Sequence, residues 1–148
     1  MRAIGPPLTA EESAAFIAAA RACKGVRFRH QGRNPKIGLD CAGLPQYAMS
    51  TLGRGVFDLK AYGREPHKNG LRMAMVENFG APVPRESMRA GDVVLMRFEG
   101  HAEPRHVAIL TDHPEGLGCL HVHSEMKFVS EHKLDARWAG FITEVFRP

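Results

Sequence analysis

Cysteine is scarce in this chain, with three in 148 residues. An odd number of thiols, in a sequence without an export signal, points to free cysteines rather than a disulfide framework. No apolar run approaches the roughly 20 residues that span a bilayer, so no membrane segment is expected. The opening "MRAIGPPLTAEES" lacks the apolar stretch of a signal peptide and carries acidic residues. Synthesis in the cytoplasm, without export by the usual route, is the expectation. There is no internal repeat, low-complexity tract or long linker either, which leaves one domain over residues 1–148. The net charge of +4 is scattered, with no dense basic run and little aromatic interleaving, so a nucleic-acid partner is not expected.

What is present reads as helices first and strands later. Thr9-Ala10-Glu11-Glu12 has the form of a capping box, and Pro6-Pro7 block any earlier helix. A first helix is therefore predicted over Ala10 to Cys23, stopped at Gly25. Val26 to Asp40, with its Gly, Asn and Pro, reads as a loop. Leu44, Ala48 and Leu52 share one face of a second helix, predicted from Cys41 to Leu52 and ended by Gly53. Pro45 predicts a distorted first turn there. A third helix is expected from Leu71 to Phe79. After Gly91, "DVVLMRF", "HVAILTD", "GCLHVHS" and "GFITEVFR" each suit a strand. Strands joined by such short turns should pair antiparallel, and the class is α+β.

The chemistry-bearing stretch is "KIGLDCAGLPQYAMSTLG", where Asp40 and Cys41 stand just before a helix. Orphan N–H groups and the helix dipole favour a thiolate at such a place, so a lowered Cys41 pKa is expected. The same N–H groups suit the oxyanion formed when a thiolate attacks an amide carbonyl. Such a nucleophile needs an imidazole base and a third polar group to orient it. His106, opening a strand, fits the base, and His121 in the next strand fits the orienting group. Period-2 alternation puts His123 on the same face as His121 and does not choose between them. Cys23 and Cys119 read as small apolar residues of a helix and a strand. A rival reading is a zinc site on Cys119, His121 and His123, with His113 nearby, although the paired spacing of common zinc sites is missing.

The segments "GLDCAGL", "RAGDVVLMRF", "HVAILTD" and "LHVHS", in this order, resemble the NlpC-type family of cell-wall cysteine peptidases. The resemblance runs from about Ala10 to Phe146. Further stretches, "RHQGRNPKIGLDC", "AYGREP" and "EHKLDARWAGFITEVFRP", look like the branch found in tailed-phage and prophage genomes. The resemblance implies a papain-like core whose Cys-bearing helix packs on an antiparallel sheet. By position it implies Cys41 as nucleophile, His106 as base and His121 as third member. It further implies Asp40 as a contact for the free amine of a stem peptide and Phe28 as a residue lining the site, where many relatives have Tyr. Ala42 stands in place of the usual Ser, and Pro45 in place of an aliphatic residue. The implied activity is hydrolysis of an amide bond in peptidoglycan stem peptides, with no cofactor. The implied setting is a virion tail, with other tail proteins as partners. A non-catalytic tail-tip assembly protein on the same fold is the alternative.

Overall fold

The structure, a computed structural model, describes residues 2–54 and 70–148. The stretch "AYGREP" (61–66) lies outside the described residues. Thr9 starts the first helix as its sequence predicts. Its hydroxyl accepts the Glu12 N–H at 3.1 Å, and the Glu12 carboxylate accepts the Thr9 N–H at 3.1 Å, so both arms of the capping box close. Helix α1 covers Ala10–Arg21 and buries Phe16, Ile17 and Ala20. Helix α2 is shorter than the apolar spacing predicts, covering Gly43–Ser50. Pro45 does not distort it: as the third residue of α2 it stands where a backbone N–H has no acceptor inside the helix. Helix α3 covers Leu71–Phe79 and ends at Gly80, whose φ of +83° suits glycine.

The predicted loop between α1 and α2 contains a small antiparallel hairpin, β1 (Arg33–Asn34) against β2 (Gly38–Leu39). The main sheet is built from β3 (Val93–Met96), β4 (His106–His113), β5 (Gly116–His121), β6 (Ser130–Lys133) and β7 (Ile142–Phe146). Its order is β6-β5-β4-β3-β7, and every neighbouring pair is antiparallel. A short helix α4 (Ala136–Phe141) precedes β7; the Asp135 carboxylate caps it by accepting the Trp138 N–H at 2.9 Å.

Alternation along the strands divides the interior into two cores. Leu95, Val107, Ile109, Leu120 and Phe146 pack with Phe16, Leu44, Met49, Met75 and Phe79 of the three longer helices. Val94, Met96, Ala108, Leu110 and Cys119 face the other way, toward Phe141, Ile142 and Trp138. Both histidines of the expected triad lie on strands of this sheet, at the end where β4 begins and β5 ends.

The edge strand β6 is held by charge rather than by apolar side chains. Glu131 accepts hydrogen bonds from Arg21 of α1 (2.8 Å), from Lys24 (3.2 Å) and from the Thr111 hydroxyl of β4 (2.7 Å). Arg21 above all holds the Glu131 carboxyl down at about 2, against an ordinary 4.5. A carboxyl lowered on folding stabilises above its ordinary pKa, and that stability is lost as pH falls through the folded value. Glu131→Gln is therefore expected to cost on the order of 2 kcal/mol near neutral pH and almost nothing near about pH 2. Urea unfolding at the two pH values checks this, and a cost that does not depend on pH rules the ion cluster out as its source.

Candidate active site

The turn carrying Cys41 is fixed by its neighbour. Asp40 is 4% exposed. Its carboxylate accepts the Gly43 N–H at 2.8 Å, the Gln31 N–H at 3.0 Å and an Arg33 guanidinium N–H at 2.8 Å. It thus caps α2 and ties that helix to the loop before the β1–β2 hairpin. Glycine is required at 43, because a Cβ there would run into the Gly32 carbonyl. The fit explains why the glycine after Cys41-Ala42 is part of the motif. Among the expected substrate contacts, Asp40 already has its oxygens engaged by the chain. Phe28 is half-buried against the first core, its N–H donating to the Lys127 carbonyl at 2.6 Å.

Cys41 stands in the turn before α2, where the backbone N–H groups of Ala42 and of Val107, the residue after His106, favour its thiolate. The influence of Val107 places the thiol near the start of β4. The expected lowering of its pKa does not occur. Burial, and then the negative charge of Asp40, push the thiol up to about 12, outweighing the N–H groups that favour the thiolate. At rest the sulfur keeps its proton. Cys23 and Cys119 are both buried.

The histidines form a line. His106, 2% exposed, places Nε2 at 2.6 Å from Nδ1 of His121, which is fully buried. His121 in turn places Nε2 at 2.8 Å from Nε2 of His132 on β6, and His132 Nδ1 lies 2.9 Å from the Lys133 carbonyl. Burial, followed by the neighbouring rings, holds His106 well below 6.5 and His121 at about 3, so both are neutral at ordinary pH. The partner of His106 is thus His121 and not His123. Strand β5 ends at His121, so His123 escapes the alternation and accepts the Glu125 N–H at 3.3 Å instead. Trp138 closes the line, its ring 4.9 Å from His121 and 4.8 Å from His132, while Phe98 packs 5.2 Å from His106. Trp138 and Phe98 were not singled out from sequence, and His132 figured only through its spacing from His121 in the stretch likened to the phage branch. The one available signal was Asp135, a helix cap that places Trp138 in a first turn.

Beside the line lies an open cavity of about 400 Å³, bordered by Phe98, His101, His123, Glu125, Arg137 and Trp138. It reaches the His106 ring through Phe98 and His123, which both pack against it. Its rim carries both signs of charge, Glu99 and Glu125 against Arg137.

A sequence model described as the NlpC/P60 family matches residues 25–145. The chain belongs to the NlpC/P60 family. Solved structures of low identity share the fold. An NLP/P60 family protein similar to lipoproteins, from Staphylococcus aureus, is 18% identical with a TM-score of 0.66, covering 96% of this chain and 43% of that one. The NlpC/p60 domain of the peptidoglycan hydrolase SagA is 19% identical with a TM-score of 0.61, covering 92% of this chain and 98% of that domain. The P60 domain of antigen MAP1204 from M. avium subspecies paratuberculosis is 17% identical with a TM-score of 0.60, over 93% and 94%. The NlpC/P60 chain thus spans less than half of the staphylococcal structure and nearly all of the two isolated domains. No curated protein matches it significantly. The fold is the α+β arrangement that the order of helices and strands predicts, with the papain-like core that the resemblance to the family implies.

Of the residues in the zinc reading, the structure brings Cys119 and His121 together and joins His132 to them. Among the described residues, Cys119, His121 and His132 bring ligand atoms within 4.8 Å of one another, and His123 is not among them. His113 is used in its own turn, where its Nδ1 accepts the Glu115 N–H at 3.1 Å. The 2.8 Å between His121 and His132 is a hydrogen-bond distance.

Proposed function

We propose that this NlpC/P60 domain is a cysteine peptidase that hydrolyses an amide bond in peptidoglycan stem peptides, with Cys41 as nucleophile, His106 as base and His121 as the group that orients it. The observation that carries the reading is a largely buried thiol near the Val107 N–H, next in the chain to His106, whose buried ring is hydrogen-bonded to His121. That one relative with this fold is a peptidoglycan hydrolase supports the substrate class.

With its Nε2 committed to His121, His106 has Nδ1 left to meet the thiol. The thiol proton passes to Nδ1 as the sulfur attacks the carbonyl carbon. The oxyanion then meets N–H groups of the Cys41 turn. His106 returns the proton to the leaving amine, and water, deprotonated by the same ring, releases the acyl group from sulfur. Asp40 holds the turn for this chemistry, and the charged rim around Glu125 and Arg137 suits a substrate that carries both an amine and carboxylates.

The finer setting, a phage or prophage tail with other tail proteins as partners, rests on the likeness of "RHQGRNPKIGLDC" and the C-terminal stretch to that branch. Neighbouring tail genes would support it, and a cell-division or transport operon would replace it. The reaction itself is tested by incubating purified peptidoglycan with wild type and Cys41→Ala. New amines from wild type alone support the reading; equal release from both, or none from either, overturns it.

A further inference from the structure

We infer that His132 is a positioning residue for the proposed reaction: through His121 it fixes which ring nitrogen of His106 carries the proton. The inference rests on the peptidase reading for its catalytic meaning, but its geometry stands independently. One group in the line has a role that admits no choice. A carbonyl oxygen has no proton to give, so His132 Nδ1 must donate to Lys133 across their 2.9 Å. A ring with one proton then has a bare Nε2. Across the 2.8 Å to His121, the proton must come from His121 Nε2, which leaves His121 Nδ1 bare. Across the next 2.6 Å, the proton must come from His106 Nε2. His106 is left with an unprotonated Nδ1, which is the nitrogen that has to take the thiol proton.

Removing the last ring removes the constraint. Without an acceptor at 132, a buried His121 has no reason to keep its proton on Nε2 and can carry it on Nδ1. It would then donate to His106 Nε2, and His106 would hold its own proton on Nδ1, facing the sulfur. That tautomer cannot act as a base. The line is held in register by features outside it: Trp138 lies against both outer rings, and Glu131, beside His132 on β6, is clamped to Arg21.

The test compares His132→Leu with His132→Gln. Leu keeps apolar contact with Trp138 and offers no acceptor, whereas the Gln side chain places an oxygen near the position of Nε2. On a stem-peptide substrate, His132→Leu is expected to lower kcat about 10- to 100-fold with KM little changed, and His132→Gln to stay within about threefold of wild type. Nitrogen-15 NMR of the ring atoms is the second readout and needs no turnover. Wild type and the Gln variant should show a bare His106 Nδ1, and the Leu variant a protonated or averaged one. An unchanged His106 signal in the Leu variant, or a Gln variant as impaired as Leu, overturns the inference. If Leu at 132 prevents folding, the Gln variant decides alone: retention of kcat and of the bare Nδ1 supports the relay, and loss of either overturns it. If wild type proves inactive on peptidoglycan, the peptidase reading falls while the NMR comparison still decides the relay.

Discussion

Exchanging either Cys41 or His106 for alanine is expected to lower kcat/KM on a stem-peptide substrate by about 10³-fold or more. The reason is the resting state of the pair. Burial and Asp40 keep the thiol protonated, at about 12, and burial keeps His106 neutral. No standing thiolate is available to react without the base, so loss of the imidazole should be nearly as damaging as loss of the sulfur. The same feature sets the pH dependence. A base works in its unprotonated form, which dominates above its pKa, and that pKa lies well below 6.5. The acid limb of kcat/KM should therefore fall well below 6.5, and activity should persist into mildly acidic solution. Rates measured from about pH 4 to about pH 9 check this. A limb at or above the ordinary histidine value would show that burial does not hold the His106 base below its usual range.

Asp92→Ala is expected to be the most damaging change outside the site, costing roughly 3–5 kcal/mol of stability. Asp92 opens the strand motif "GDVVLM" and is 1% exposed. Its carboxylate accepts two bonds from Arg147, both at 2.9 Å, and a third from the Arg89 N–H at 2.8 Å. Arg147 also donates to the Ser87 carbonyl at 2.7 Å, so the cluster binds the start of β3 to the end of β7. Removing the carboxylate leaves a guanidinium and a backbone N–H short of partners in a sparsely hydrated place. For a chain of this size the melting temperature should drop by about 6–15 °C. Calorimetry of Asp92→Ala beside the double variant Asp92→Ala/Arg147→Met separates the pair from its surroundings. A drop of less than about 2 °C would show the cluster to be dispensable.

Much of the fold was legible because local chemistry and tertiary burial agree. Thr9 and Glu12 announced α1, Gly80 ended α3, and the apolar runs after Gly91 became β3, β4, β5 and β7. The elements that escaped are those with little apolar pattern. The β1–β2 hairpin has two residues per strand, and β6 reads Ser-Glu-His-Lys because its work is polar, with Glu131 bonded to α1 and His132 to His121. Helix α4 was hidden inside a segment read as loop and strand. The site was legible in position and not in electrostatics. A helix N-terminus does lie behind Cys41, but its effect is outweighed by burial and by Asp40, and burial depends on contacts far apart in sequence. His121 and His123 were inseparable by alternation because nothing local marks where β5 ends.

The retained proton on Cys41 has a consequence for durability. It is the ionised form of sulfur that attacks peroxides and disulfides, and a thiol at about 12 supplies almost none of it. If the peptidase reading holds, the sulfur becomes vulnerable only while a carbonyl is in place to receive it, so the burial of one side chain protects the nucleophile from oxidation between turnovers.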